Sequence, residues 1–231
     1  MDAARAEVAG PTAADTVAIF DLDGTLTRGD TYLAFLSYML RKDPLRVRYC
    51  LGLPYQVAMF KLGRLSNDAL KAAFLCAILK GATREEIERH SVPFAEKCAR
   101  RMIKPAALKR IDWHRARRHR LILASASVDL YVPLIAALLG FDEAVCTHVA
   151  WAEGRLTGEL NGPNLRGVAK LRAVRELIAR HSDQPIIFAY SDSYADLPLL
   201  AYADRGVAID PDRMLLREAP RSGLETEFWR D

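Results

Sequence analysis

Val17-Ala18-Ile19-Phe20-Asp21-Leu22-Asp23-Gly24-Thr25 is the stretch on which the reading of this 231-residue chain turns. Its apolar half has the look of a parallel strand buried on both faces. Two carboxylates leave the end of that strand, two residues apart, and a glycine follows at once. Packing does not explain them, because an ionised carboxylate is costly to desolvate. In open α/β sheets, however, ligands bind outside the carboxyl ends of the strands. Gly24 lets the backbone turn sharply and bring its N–H groups close to an anion. One acid can act as nucleophile and metal ligand while the other shuttles a proton. The chemistry that fits is phosphoryl transfer through an aspartyl-phosphate. A solvated Asp-Gly turn is the plain alternative, and the rest of the chain weighs against it.

Further strand-like runs occur at Leu121–Ser125, Ala144–Val149, Ile186–Tyr190 and Gly206–Ile209. Helical spacing separates most of them, over Val128–Leu139 with Ser127 as its N-cap and over Val168–Arg180. Strands alternating with helices predict an α/β fold, a doubly wound parallel sheet. The turn Glu153-Gly154 predicts a β-hairpin appended to that sheet. Residues 30–105 differ in kind: helical periodicity throughout, punctuated by Pro44, Pro54, Gly63, Gly81 and Pro93, with caps at Ser66 and at Thr83 with Glu86. The predicted organisation is a lead-in without fixed structure over 1–15, a core over 16–29 and 106–231, and an all-helical cap over 30–105.

Net charge is +4, mildly basic and compatible with anionic substrates. Cys50, Cys76, Cys98 and Cys146 form no C-x-x-C pair, which favours reduced thiols, an intracellular setting and no metal-thiolate site. No signal-peptide h-region and no membrane-spanning run is present. The expected localisation is cytoplasmic.

Other strand ends add to the first. Ser125 closes the second core strand and suits a phosphate contact. Lys170 lies in the first turn of its helix, where a cation opposes the macrodipole unless it faces an anion. Asp192 and Asp196 follow the fourth strand, four apart, and are expected on one helix face. Four carboxylates in one crevice repel each other. At about 4 Å a single like-charge pair costs on the order of 4 kcal/mol at an effective dielectric of 20. Compensating cations are required, and Mg²⁺, which takes one or two carboxylates plus waters and phosphate oxygens, is the natural one.

The order Asp21-Leu22-Asp23-Gly24-Thr25, Ser125, Lys170 and Ser191-Asp192-Ser193-Tyr194-Ala195-Asp196 resembles the haloacid dehalogenase superfamily of aspartyl-phosphate phosphatases. Helices between the first and second motifs are similar to the phosphoserine phosphatase subgroup. Ser191 departs from the glycine often found there, without removing a ligand. The resemblance implies Asp21 as nucleophile and metal ligand. It implies Asp23 as acid and then base, lending its carbonyl to the metal. Gly24 supports the turn, Thr25 and Ser125 hold phosphate oxygens, and Lys170 neutralises charge. Asp192 completes the Mg²⁺ site and Asp196 orients the network.

Asp30 stands nine residues after Asp21, where phosphoserine phosphatases carry a glutamate near the substrate amine. It is therefore read either as a substrate contact, favouring a small phosphoserine- or histidinol-phosphate-like ester, or as a helix cap. A lipid phosphate is the second reading, as in phosphatidylglycerophosphate phosphatases. Pro44–Leu65 is apolar with Arg46, Arg48, Lys61 and Arg64 interspersed, although Pro54 splits it and favours ordinary packing inside the cap. A non-catalytic anion-binding protein is the third. From Lys97 to Arg120 ten Lys or Arg residues face one acid, Asp112, but no nucleic-acid-binding signature accompanies them, so no nucleic acid is expected.

Overall fold

The computed structural model describes residues 16–181 and 184–229; the lead-in expected over 1–15 lies outside them. Six strands make one parallel sheet: β1 (Thr16–Phe20), β2 (Arg120–Val128), β3 (Glu143–Thr147), β6 (Ile186–Ser191), β7 (Arg205–Ile209) and β8 (Glu225–Glu227). Their spatial order is β3-β2-β1-β6-β7-β8, and every neighbouring pair is parallel. From β1 the chain winds one way through β2 and β3, then returns to β6 and winds the other way. The order therefore reverses between β1 and β6, the place where doubly wound sheets open a crevice.

The period of two along each strand splits the core between the sheet's faces. Val17 and Ile19 pack with Ile122, Ile187 and Ala189 against helices α7 (Val168–Ile178), α8 (Leu197–Tyr202) and α9 (Arg213–Glu218). Ala18 and Phe20 face the other way, among Leu121, Leu123 and Tyr190. Phe20 stacks on Tyr190 at 4.5 Å between ring centroids, and full burial of such a side chain stabilises by about 1.5–3 kcal/mol.

Between β1 and β2 lie α1 (Thr31–Lys42), a 3-10 segment over Pro44–Gly52, α2 (Leu53–Lys61), α3 (Asn67–Leu79), α4 (Arg84–Arg101) and α5 (Pro105–Ala116). Ser66 and Thr83 cap α3 and α4 as expected, accepting from the amides of Ala69 and Glu86. The insert enters and leaves side by side: Thr27 bridges Ile103, the Arg28 amide donates to the Met102 carbonyl, and the Lys104 amide donates to the Leu26 carbonyl. Helix α4 continues through Pro93 rather than breaking there.

Four expectations are corrected. The hairpin β4 (Val149–Ala152) and β5 (Arg155–Leu160) is a separate two-stranded sheet, not an appendage of the large one. It packs on the insert, with Arg155 bridged to Thr83 and β5 against α3. Ser127 is not a helix cap, because β2 runs on to Val128 with an irregular register after Ser125. Helix α6 (Val132–Leu138) starts later, after Tyr131. Asp192 and Asp196 do not share a helix face: a 3-10 turn, Tyr194–Asp196, intervenes before α8. Finally, no residue of Pro44–Lys61 is buried, so this stretch is not packed core of the insert.

The basic run from Lys97 to Arg120 is dispersed. Lys104 pairs with Asp210, Arg110 with Glu227, Arg115 with Asp112 and Arg120 with Glu143. All four cysteines are free. Among the described residues no helix is long and apolar enough to cross a membrane.

Candidate active site

At the end of β1 the Asp21 amide donates to the Tyr190 carbonyl of β6, 2.9 Å, holding the two strands together where the order reverses. Gly24 then turns the chain with φ +78°, in the left-handed region. A Cβ there would stand 2.0 Å from an Asp192 carboxylate oxygen, so only glycine lets the turn lie against that acid. Thr25 joins the two motifs. Its hydroxyl lies 3.3 Å from Asp21 Oδ2 and 3.2 Å from Asp192 Oδ1, and it accepts from the Asp192 amide at 2.9 Å.

Lys170 comes from the first turn of α7. Gly167, at φ +63°, caps that helix close to the Ala195 carbonyl, which brings the helix start against the loop after β6. The buried Lys170 ammonium donates to Asp21 Oδ1 at 2.7 Å and to Asp196 Oδ2 at 2.5 Å. Asp196 Oδ2 also accepts from the Ser191 hydroxyl at 2.8 Å. Asp196 follows Ser193 by three residues, a spacing suited to a reciprocal helix cap, but its carboxylate is taken by Lys170 and Ser191 instead.

Burial raises Asp21 to about 8, against the pull of Lys170 and with the neighbouring Asp196 and Asp192 pushing the same way. Asp192 is raised to about 6, again mainly by burial, with the Thr25 hydrogen bond opposing. Burial raises Asp23 too, opposed by its hydrogen bonds from Ser127 and Thr31. Those are a 2.6 Å bond from the Ser127 hydroxyl and a 2.5 Å bond from the Thr31 amide. The irregular end of β2 aims Ser127 at Asp23, while Ser125 Oγ turns back to accept from the Ser127 amide.

Asp21, Asp23, Asp30, Lys170, Asp192 and Asp196 all line one cavity of about 380 Å³. Gly24, Thr25 and Ser125 stand behind its wall. Asp30 caps α1 by accepting from the Leu33 amide at 2.8 Å, and its residue borders the cavity. Three residues given no site role from the sequence also belong here. Ser127, read there as a helix cap, is one. Lys71 of α3 is another, with Nζ on the Ala126 carbonyl (2.5 Å) and Asn164 Oδ1 (2.6 Å) and over the Tyr32 ring. Burial lowers it to about 8, against the pull of Asp23, Asp30 and Asp68. The third is Lys104, whose ammonium meets the Gly24 carbonyl and Asp210. No periodicity or spacing marks any of the three.

Among the described residues no three carboxylate, imidazole or thiol groups converge as a metal cluster. The donors available are the Asp21 and Asp192 carboxylates, held to one hydroxyl, and the backbone carbonyl of Asp23 in the same turn. Two carboxylates plus a carbonyl suit a hard, largely hydrated cation such as Mg²⁺.

A match to the haloacid dehalogenase-like hydrolases spans residues 18–201. The chain belongs to this family. It is 34% identical to protein CicA of Caulobacter vibrioides over 80% of this chain and 82% of that one. It is 29% identical to phosphoserine phosphatase SerB1 of Mycobacterium tuberculosis over 92% of this chain and 70% of that one. A crystal structure of a protein of unknown function from Bordetella pertussis superposes with TM-score 0.82 at 22% identity, covering 94% of this chain and all of the other. That likeness concerns the haloacid dehalogenase-like fold, including the helical insert between β1 and β2.

Proposed function

We propose that this hydrolase is a Mg²⁺-dependent phosphomonoester phosphatase that works through an aspartyl-phosphate at Asp21. The observation that carries the proposal is the junction of Asp21, Thr25 and Asp192 at the β1/β6 reversal, with Lys170 beneath Asp21 and Asp23 beside it. A Mg²⁺ ion held by Asp21, Asp192 and the Asp23 carbonyl would offset carboxylate charge and polarise a phosphate oxygen.

Asp21 attacks phosphorus, the P–O bond to the leaving alkoxide breaks, and Asp23 gives that alkoxide its proton. Burial raises the proton affinity of Asp23, which suits its role as acid in the first step. Once the alcohol departs, Asp23 takes a proton from water, which attacks phosphorus and frees Asp21. Lys170 balances charge on the phosphoryl group, Asp196 holds Lys170 in place, Thr25 ties Asp21 to Asp192 behind the cavity wall, and the Ala126–Ser127 strand end that lines the cavity offers donors to the phosphoryl oxygens. Residues 30–105 act as the cap over this site, and Asp30 and Lys71 face the part of the cavity left for the rest of the substrate. A small, amine-bearing phosphomonoester fits that pair and the cavity's size. Phosphoserine phosphatase among the relatives supports the same class.

The test is hydrolysis of p-nitrophenyl phosphate by the purified protein. Turnover is expected with Mg²⁺, lost with EDTA and lost in Asp21→Asn. Metal-independent turnover, or turnover surviving in Asp21→Asn, would overturn the assignment. Comparing phosphoserine with an ester lacking the amine, on wild type and Asp30→Ala, then tests the substrate. An equal loss for both esters would remove Asp30 from amine recognition.

A further inference from the structure

We infer that the segment from Leu45 to Leu62 on the outside of the helical insert is a docking surface for an anionic lipid bilayer. The attachment is separate from the chemistry at Asp21. Seven of the eighteen large apolar side chains exposed among the described residues fall in this short stretch: Leu45, Val47, Tyr49, Leu51, Tyr55, Phe60 and Leu62. Leu51 is 82% exposed and Leu45 73%. A short helix that is apolar all round is normally buried, yet neither the 3-10 segment nor α2 buries a single residue. Clustered exposed apolar side chains of this kind mark an interaction site.

Charge chooses the occupant. From Arg41 to Arg64 there are six basic residues and one acid, Asp43. Arg46 is taken up by Asp43 and Glu86, whereas Arg41, Lys61 and Arg64 are exposed and make no ion pair among the described residues. A second copy of this surface would set like charges against each other, a repulsion that penalises self-association. Negatively charged headgroups complement it. Leucines, a phenylalanine and two tyrosines interleaved with Lys and Arg make the composition of a helix lying in the interface, with apolar side chains below the headgroups and cationic tips level with them. Helix α3 links this surface to the site. Lys71 and Phe74 wall the catalytic cavity, while Ala73, Cys76 and Ala77 floor a groove of about 740 Å³ beneath Leu45, Tyr49 and Leu53.

The experiment is flotation of the full chain with phosphatidylcholine vesicles, with and without phosphatidylglycerol. Wild type is expected to float with the anionic vesicles at low salt and to be released as salt rises, because the Debye length shrinks. Leu51→Asp with Leu62→Asp should weaken flotation by about tenfold or more, since each loses its apolar burial. Lys61→Gln with Arg64→Gln should abolish the preference for anionic over neutral vesicles. Circular dichroism and p-nitrophenyl phosphate turnover in solution should match wild type in every variant, and the circular dichroism serves even where turnover is nil. Three results overturn the inference. One is no flotation with anionic vesicles at low salt, and another is flotation indifferent to the leucine changes. The third is a wild-type dimer in solution that the leucine changes dissolve, which would give the surface to a second copy.

Discussion

The Lys104 ammonium donates to the carbonyl of Gly24, eighty residues earlier, and the same ammonium forms a buried 2.8 Å pair with Asp210. The residue that ends the insert thus braces the turn carrying Asp21 and Asp23, and ties it to the loop after β7. Removing one partner of a buried pair strands the other charge, at about 3–5 kcal/mol. Lys104→Met is therefore expected to lower stability by that order. Lys104→Met with Asp210→Asn should recover part of the loss, as read by urea unfolding. If the double variant is no more stable than the single one, the pairing is not what Lys104 contributes.

Gly24 and Asp192 impose a second constraint. Gly24→Ala puts a side chain into left-handed backbone and into the Asp192 carboxylate, so the acid or the turn must move. Displacing catalytic groups by about 1 Å costs on the order of 100-fold in rate. Turnover of p-nitrophenyl phosphate should fall by that order, with the Mg²⁺ concentration for half-maximal activity raised. Unchanged metal dependence would separate Asp192 from the metal site.

Most of the frame was legible in the sequence because it rests on local patterns. Val17–Phe20 is apolar on both faces, as a central parallel strand must be, and Asp21-Leu22-Asp23-Gly24-Thr25 marks its end. Ser66 and Thr83 announce α3 and α4 through caps that act over three residues. Long-range choices were not legible. The Asp196 carboxylate chooses Lys170 and Ser191 over a local cap, and Ser127 chooses Asp23 because β2 is irregular after Ser125. The β4–β5 hairpin reads correctly as a hairpin, yet its docking on α3 depends on a face that no local periodicity reveals. The exposure of Leu45–Leu62 contradicts the usual inference from an apolar run to a buried one.

Lys170 stands between Asp21 and Asp196 at 2.7 and 2.5 Å, and the two carboxylates hold its ammonium charged by raising its proton affinity above that of a free lysine. Lys170→Met removes the cation aimed at the phosphoryl group. Loss of one preorganised charge of this kind costs about 10²–10³-fold in turnover. That loss is expected with circular dichroism unchanged, and a smaller effect than tenfold would place the phosphoryl group away from Lys170.

His114 offers a prediction remote from the catalytic groups. Its buried ring lies between His119 Nδ1 at 2.8 Å and the Tyr190 hydroxyl at 2.9 Å. Burial lowers it to about 3, helped by His119, Arg110 and Arg117. The unfolded chain takes up this proton as pH falls through about 6.5, while the folded chain does not until about 3. The unfolded state binds more protons in that window, so the stability His114 contributes as a neutral ring is full above about 6.5 and is lost on acidification. The slope approaches 1.4 kcal/mol per pH unit. Asp21, raised to about 8, works in the opposite direction, but equally in wild type and in His114→Gln, so it cancels in their difference. Urea unfolding at several pH values should show the stability advantage of wild type over His114→Gln shrinking as pH falls from about 6.5 toward 4. A constant gap would mean that His114 takes up its proton in the folded chain as readily as in the unfolded one.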